Sequence, residues 1–120
     1  MGTLQELFDV SAAHLLKQRA RSVSPSGRCL YRGPNGTMCA VGVLISDDNY
    51  NLRLEGRGVG HEAVLRALRD SGCPTHHAAV VLLADLQRLH DTVEEIDLWP
   101  VRLTQLAGRH GLRTDAIDAL

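Results

Sequence analysis

Six apolar residues, Ala79, Leu82, Leu86, Leu89, Val93 and Ile96, recur at alternating steps of three and four. That period lays one continuous apolar stripe along a helix face and leaves no room for a strand reading of the segment. A helix of this length cannot bury its stripe alone, so the remaining chain must supply apolar elements to pack around it.

The stretch "TLQE", residues 3–6, opens the first of them. Thr3 accepts from a backbone N–H three residues on while Glu6 reaches back to the Thr3 N–H, the reciprocal pair that starts a helix. Leu4, Leu7, Phe8, Leu15 and Leu16 then fall on one face, and Lys17, Arg19 and Arg21 lie where the helix dipole favours cations. "SPSG", residues 24–27, ends it. A third helix is expected over 60–70, with Val64, Leu65 and Leu68 inward and Gly72 as its C-terminal cap before Pro74. Thr75 is placed to cap the central helix. Asp91 or Thr92, followed by Glu94 and Glu95, leaves open whether the stripe is one helix or two joined at a bend. A last helix starts near Asp97, tolerates Pro100 in its first turn, buries Trp99, Leu103 and Leu106, and stops before Gly111. The tail 113–120 has few apolar anchors and is expected to fray.

Between the first and third helices stands "CLYRGPNGTMCAVGVLI", residues 29–45. "RCLYR", "GPNG" and "TMCAV" read as strand, turn, strand, with Pro34 setting the turn and Gly36 taking a left-handed conformation. That register opposes Gly33 to Thr37 and Tyr31 to Cys39. The run 42–45 is compatible with a strand or a buried helix. The connection 46–60 is long for a loop inside a small domain and is expected to be flexible and exposed, which makes it a candidate functional surface. Its "EGRGVGHE" has the glycines of an anion-cradling loop but lacks the lysine and spacing of a phosphate-binding motif. The fold class expected is therefore α+β: one domain over 1–120, four to five helices, and one β-hairpin packed on them.

Composition narrows function by exclusion. Thirteen Lys and Arg against fourteen Asp and Glu give a net charge of -1, without the basic field of a nucleic-acid binder. The N-terminal "MGTLQELFDV" carries acids and no apolar stretch of a secretion signal, and no window approaches the roughly 18 apolar residues of a membrane span. A cytoplasmic protein with no membrane contact is expected, its three cysteines reduced.

Cys29 and Cys39 lie diagonally in the expected register, too far apart for a disulfide. Cys73, His76 and His77 offer metal-ligand types at short spacing, but "C-x2-H" alone is common by chance, so neither metal nor cofactor is assigned. A thiol nucleophile is the catalytic alternative: Cys39 with His90 as base and Asp91 as orienter, a hydrolase or transferase set in which imidazole activates the thiol and a carboxylate fixes the tautomer. The simpler reading of Cys39 is a buried apolar side chain.

"CLYRGPNGTMCAVGVLISDDNY", the later "LQRLHD" and the closing "W…L…LA…GL" together resemble a family of small, uncharacterised bacterial and bacteriophage proteins that share a YRGPNG…CAVG-x-LI core. The resemblance implies a mixed compact fold and a phage or mobile-element setting, and it brings no catalytic residue with it. The expected function is a noncatalytic module that binds a host or phage protein. Arg32, Asn35, Tyr50, Arg53 and Arg57 are the expected contacts, on the hairpin tip and the long connection. Self-association through surplus apolar helix surface stays open beside it.

Overall fold

A computed structural model describes residues 2–119. The Thr3–Glu6 pair closes as a full capping box and starts α1 (Leu4–Gln18), which ends at Arg19 in a left-handed conformation. The other helices are α2 (Glu62–Asp70), α3 (His77–Thr92), α4 (Trp99–Arg109) and α5 (Asp115–Asp118). The apolar stripe therefore breaks after Thr92: Val93 caps α3, a short 3-10 turn at Ile96–Leu98 follows, and Trp99 opens α4 with Pro100 in its first turn. Gly72 and Gly111 both adopt positive φ just beyond the helices they follow, where glycine escapes the Cβ clash of other residues. Thr75 does not cap α3. Its hydroxyl faces Arg69, and His76 occupies the cap position without a side-chain bond.

α1 lies against α3, α4 and α5, and with them encloses Leu7, Phe8, Leu15, Leu82, Leu86, Trp99 and Leu103, all fully buried. The tail is tied to α1 through Gln5, whose amide accepts from the Arg113 N–H at 2.8 Å and donates to the Arg113 carbonyl at 3.0 Å.

The β-hairpin expected over 29–41 is not formed, and the α+β class gives way to a helical fold. Among the described residues there is no strand, only two isolated antiparallel bridges, Val23–Cys29 and Arg32–Met38. The turn itself closes, with Gly33 N–H donating to the Thr37 carbonyl and both Asn35 and Gly36 left-handed. Beyond it one rung survives, the Cys39 N–H donating to the Tyr31 carbonyl at 3.4 Å, but its reciprocal bond is lost because the Tyr31 N–H turns to Glu55, and side chains satisfy the outward-facing groups of the Arg32–Met38 pair. On one arm the Glu55 carboxylate accepts the Tyr31 and Arg32 N–H groups at 2.9 and 3.1 Å. On the other, α1 side chains satisfy Met38: its N–H donates to Gln18 Oε1, and its carbonyl accepts from Gln18 Nε2 and His14 Nε2. Buried backbone must be paired somewhere, and here side chains do it. Cys39, Ala40 and Val41 are consecutive and all fully buried, so two-residue alternation fails, and the chain coils into a 3-10 turn at Gly42–Leu44.

The connection 46–60 carries two more 3-10 turns, Asp47–Asn49 and Leu52–Leu54. It is fastened to the core by Glu55, by the Tyr31 hydroxyl donating to the Arg57 carbonyl at 2.6 Å, and by buried Leu54 and Val59.

Candidate functional site

α3 brings its last turn beneath the segment that leaves α1. Here Cys29, His90 and Asp91 present ligand-type atoms within 4.8 Å of one another. The expected pair His90–Asp91 is thus joined by a cysteine, but by Cys29 rather than Cys39. His90 is fully buried, and its ring is tilted against Trp99 with centroids 6.1 Å apart. The Ser22 backbone N–H donates to His90 Nε2 at 2.9 Å. A backbone N–H can only donate, so Nε2 carries no proton, and the ring proton sits on Nδ1, donated to Asp91 Oδ1 at 2.9 Å.

That tautomer decides what the cluster does chemically. Both ring nitrogens are engaged, so His90 has no free lone pair to take a proton from a thiol. Binding a metal through Nδ1 would require removing its proton while Nε2 still faced a donor, so the cluster has the composition of a metal site but not its proton arrangement. Cys73, His76 and His77 do not converge either: Cys73 is buried with its thiol toward the Leu44 carbonyl, while both histidines are exposed.

Around the cluster, Gln87 Nε2 donates to Asp91 Oδ1 at 2.7 Å, and Arg21 clamps the end of α3 through the His90 and Asp91 carbonyls at 3.1 and 2.6 Å. The same guanidinium lies 3.5 Å from the Cys29 sulfur. Burial alone would raise the Asp91 carboxyl. The hydrogen bonds from His90, Cys29 and Gln87 outweigh it and hold the carboxyl below the usual aspartate range. A depressed value means that Asp91 stabilises the fold fully above the ordinary aspartate pKa of about 3.9, and that this contribution disappears as pH falls through its lower folded value. The melting-temperature gap between the native protein and Asp91→Asn should therefore be flat above about pH 5 and close below about pH 4. A gap unchanged at pH 3 would contradict the assignment.

Cys39 is fully buried, its sulfur accepting from the Gly42 N–H at 3.3 Å, and burial pushes its thiol up to about 12. Burial also raises Cys29 and Cys73. None of the three is thereby primed as a thiolate near neutrality. In an alkylation time course near neutral pH, Cys29, which is half-buried, should react slowly, and Cys39 and Cys73 only after unfolding. Rapid labelling of Cys39 in the native state would restore the nucleophile reading.

The expected contact residues divide. Arg32 is turned inward, donating to Asp47 at 2.7 Å and the Ile45 carbonyl at 2.6 Å, with its guanidinium 4.9 Å from the Tyr50 ring centre. Tyr50 donates to Glu55 at 2.7 Å and is half-buried. Asn35 is exposed at the turn tip. Arg53 and Arg57 are exposed neighbours, with Arg57 Nε on the Arg53 carbonyl at 2.7 Å. Beside them stands Leu52, which residue-by-residue reading passed over. Its signal was a leucine with polar neighbours on both sides in a loop.

Fold and site together define a small helical domain with a closed Cys–His–Asp hydrogen-bond cluster and a fastened surface loop. No helix among the described residues is long and apolar enough to cross a membrane. Compared with protein-family models, curated proteins and solved structures, the chain has no significant match.

Proposed function

We propose that the protein is a small noncatalytic protein-binding module of the cytoplasm that takes its partner on the outer face of the 46–60 connection. The observation that carries this reading is Leu52, which stands 81% exposed at the start of a 3-10 turn. The Asn51 side chain caps that turn by accepting the Arg53 N–H at 2.9 Å. An apolar side chain held outward beside exposed Arg53 and Arg57 has the makings of an interface centre, since arginine is among the residues that dominate interface energetics. Because Glu55 and Tyr31 already fasten the loop, binding would be spared much of the entropy of ordering it. A groove of about 480 Å³ between this loop and α2, with Asp48, Arg53, Glu62 and Arg66 among its walls, supplies a polar rim of mixed charge. The cluster at His90 supports the noncatalytic side of the reading, because its ring has no free nitrogen. The resemblance of the 29–50 core to bacterial and phage proteins suggests the partner class: a host protein, such as one of a defence system, that the module inhibits or regulates.

The test is co-purification from a bacterial host of the tagged protein and of a Leu52→Asp/Arg53→Ala double variant whose melting temperature matches it. A stoichiometric partner retained by the native protein and lost by the variant is expected. A partner held equally by both, or no stoichiometric partner at all, would overturn the assignment of this surface.

A further inference from the structure

A second opening lies between the glycine loop and the end of α3, with a volume of about 270 Å³ and walls that include Leu30, Tyr31, Gly56, Gly58, Gln87 and Asp91. Drug-sized ligands occupy pockets of roughly 300–1,000 Å³, so only a smaller molecule fits here. Asp91 is one of its walls; Arg57, another, turns its guanidinium to the Arg53 carbonyl and His61, while Arg28 lies outside the walls, against Gly56.

At the α3 end, Asp91 keeps 34% of its side chain exposed. Its carboxylate already accepts from His90, Gln87 and Cys29, but a carboxylate offers about four lone-pair positions, so capacity for one further donor remains. It also sits in the last turn of α3, where the helix dipole favours a cation. At the loop end, the exposed Gly56 and Gly58 N–H groups have no acceptor among the described residues. The Arg28 guanidinium lies against Gly56, its Nη2 only 3.7 Å from where a Cβ on that glycine would stand. Among the described residues Arg28 belongs to no ion pair. Leu30 and Tyr31 form an apolar wall of the same opening.

We propose that this opening binds a small zwitterion of the free α-amino-acid class, with its ammonium at Asp91 and its carboxylate at Arg28 and the Gly56 and Gly58 N–H groups. A simple anion satisfies the loop end but meets the Asp91 charge, and a simple cation satisfies Asp91 but meets Arg28. A molecule with both charges a few bonds apart engages both ends and leaves its side chain for the Leu30–Tyr31 wall. This site is independent of the protein-binding surface, and either assignment can fail alone.

The experiment is a thermal-shift and calorimetric titration of the full chain with each of the twenty L-α-amino acids, followed by the N-acetyl derivative and methyl ester of any that binds. At least one amino acid should raise the melting temperature by about 5 °C when present at roughly ten times its Kd, because a ligand of the folded state alone stabilises it by mass action. Acetylation, which removes the cation, and esterification, which removes the anion, should each weaken binding about tenfold or more. Asp91 also anchors His90, so Asp91→Asn alters the fold as well as the site. Arg28→Glu, whose side chain is exposed, keeps the test decisive and should abolish binding. A flat melting temperature across all twenty, a derivative that binds as tightly as its parent, or unchanged affinity in Arg28→Glu would each overturn the proposal.

Discussion

Replacing Gly42 by alanine is expected to cost at least about 3 kcal/mol and to lower the melting temperature by roughly 10–20 °C, out of proportion to one added methyl. The Tyr31 main chain lies directly on the Gly42 Cα, so that a Cβ would stand 2.0 Å from the Tyr31 carbonyl oxygen and 2.8 Å from its carbon. Those neighbours are backbone and cannot rotate away. Separating the two segments would pull on both sides of a packed core, because Tyr31, Cys39, Val41 and Leu44 are all buried beside the contact. It would also strain the Glu55 bonds to the Tyr31 and Arg32 N–H groups that fasten the connection. Gly42 has ordinary negative-φ geometry, so the cost is one of space and not of conformation. Chemical denaturation of Gly42→Ala beside Gly58→Ala, a position with open space and no positive φ, isolates the effect. Equal stabilities would mean that the two segments are not in this contact.

The second large effect is expected at His90. His90→Phe keeps a ring beside Trp99 but leaves the Ser22 N–H without an acceptor and Asp91 without its donor. A buried polar group left unpaired costs roughly 1–3 kcal/mol, so the replacement should destabilise by about 2–4 kcal/mol. Because His90 and Asp91 share one bond, the double replacement His90→Phe/Asp91→Asn should cost less than the sum of the singles by about 1 kcal/mol or more. Nitrogen NMR supplies a readout that packing alone would not move: the ring should show a protonated Nδ1 and an unprotonated Nε2 near neutral pH. The opposite tautomer would free Nδ1 as a ligand or base and reopen both the metal and the catalytic readings of the cluster.

What the chain determined by itself is what acts within about one helical turn. The Thr3–Glu6 box, the stripe from Ala79, Pro100 in the first turn of α4, and the glycines after α2 and α4 depend on groups a few residues apart, so their consequences are written in the local order of residues. Gln87 and Asp91, four apart on α3, were legible in the same way once a helix was assigned. Tertiary structure decided the rest. Residues 29–41 have the turn and pattern of a hairpin, and locally nothing forbids one. The ladder stops after one rung because Glu55, remote in sequence, takes the Tyr31 N–H, while Gln18 and His14 hold the outward-facing Met38 backbone and the apolar run is buried on all sides. The cysteine beside His90–Asp91 was decided likewise, by the Ser22 N–H and the Arg21 clamp that draw the chain near Cys29 onto the end of α3. Arg32 and Tyr50 look like surface contacts until Asp47 and Glu55 fold onto them. A backbone donor or a charged side chain specifies only that it will be paired; which group pairs with it depends on what packing brings within 3 Å, and no local spacing carries that information.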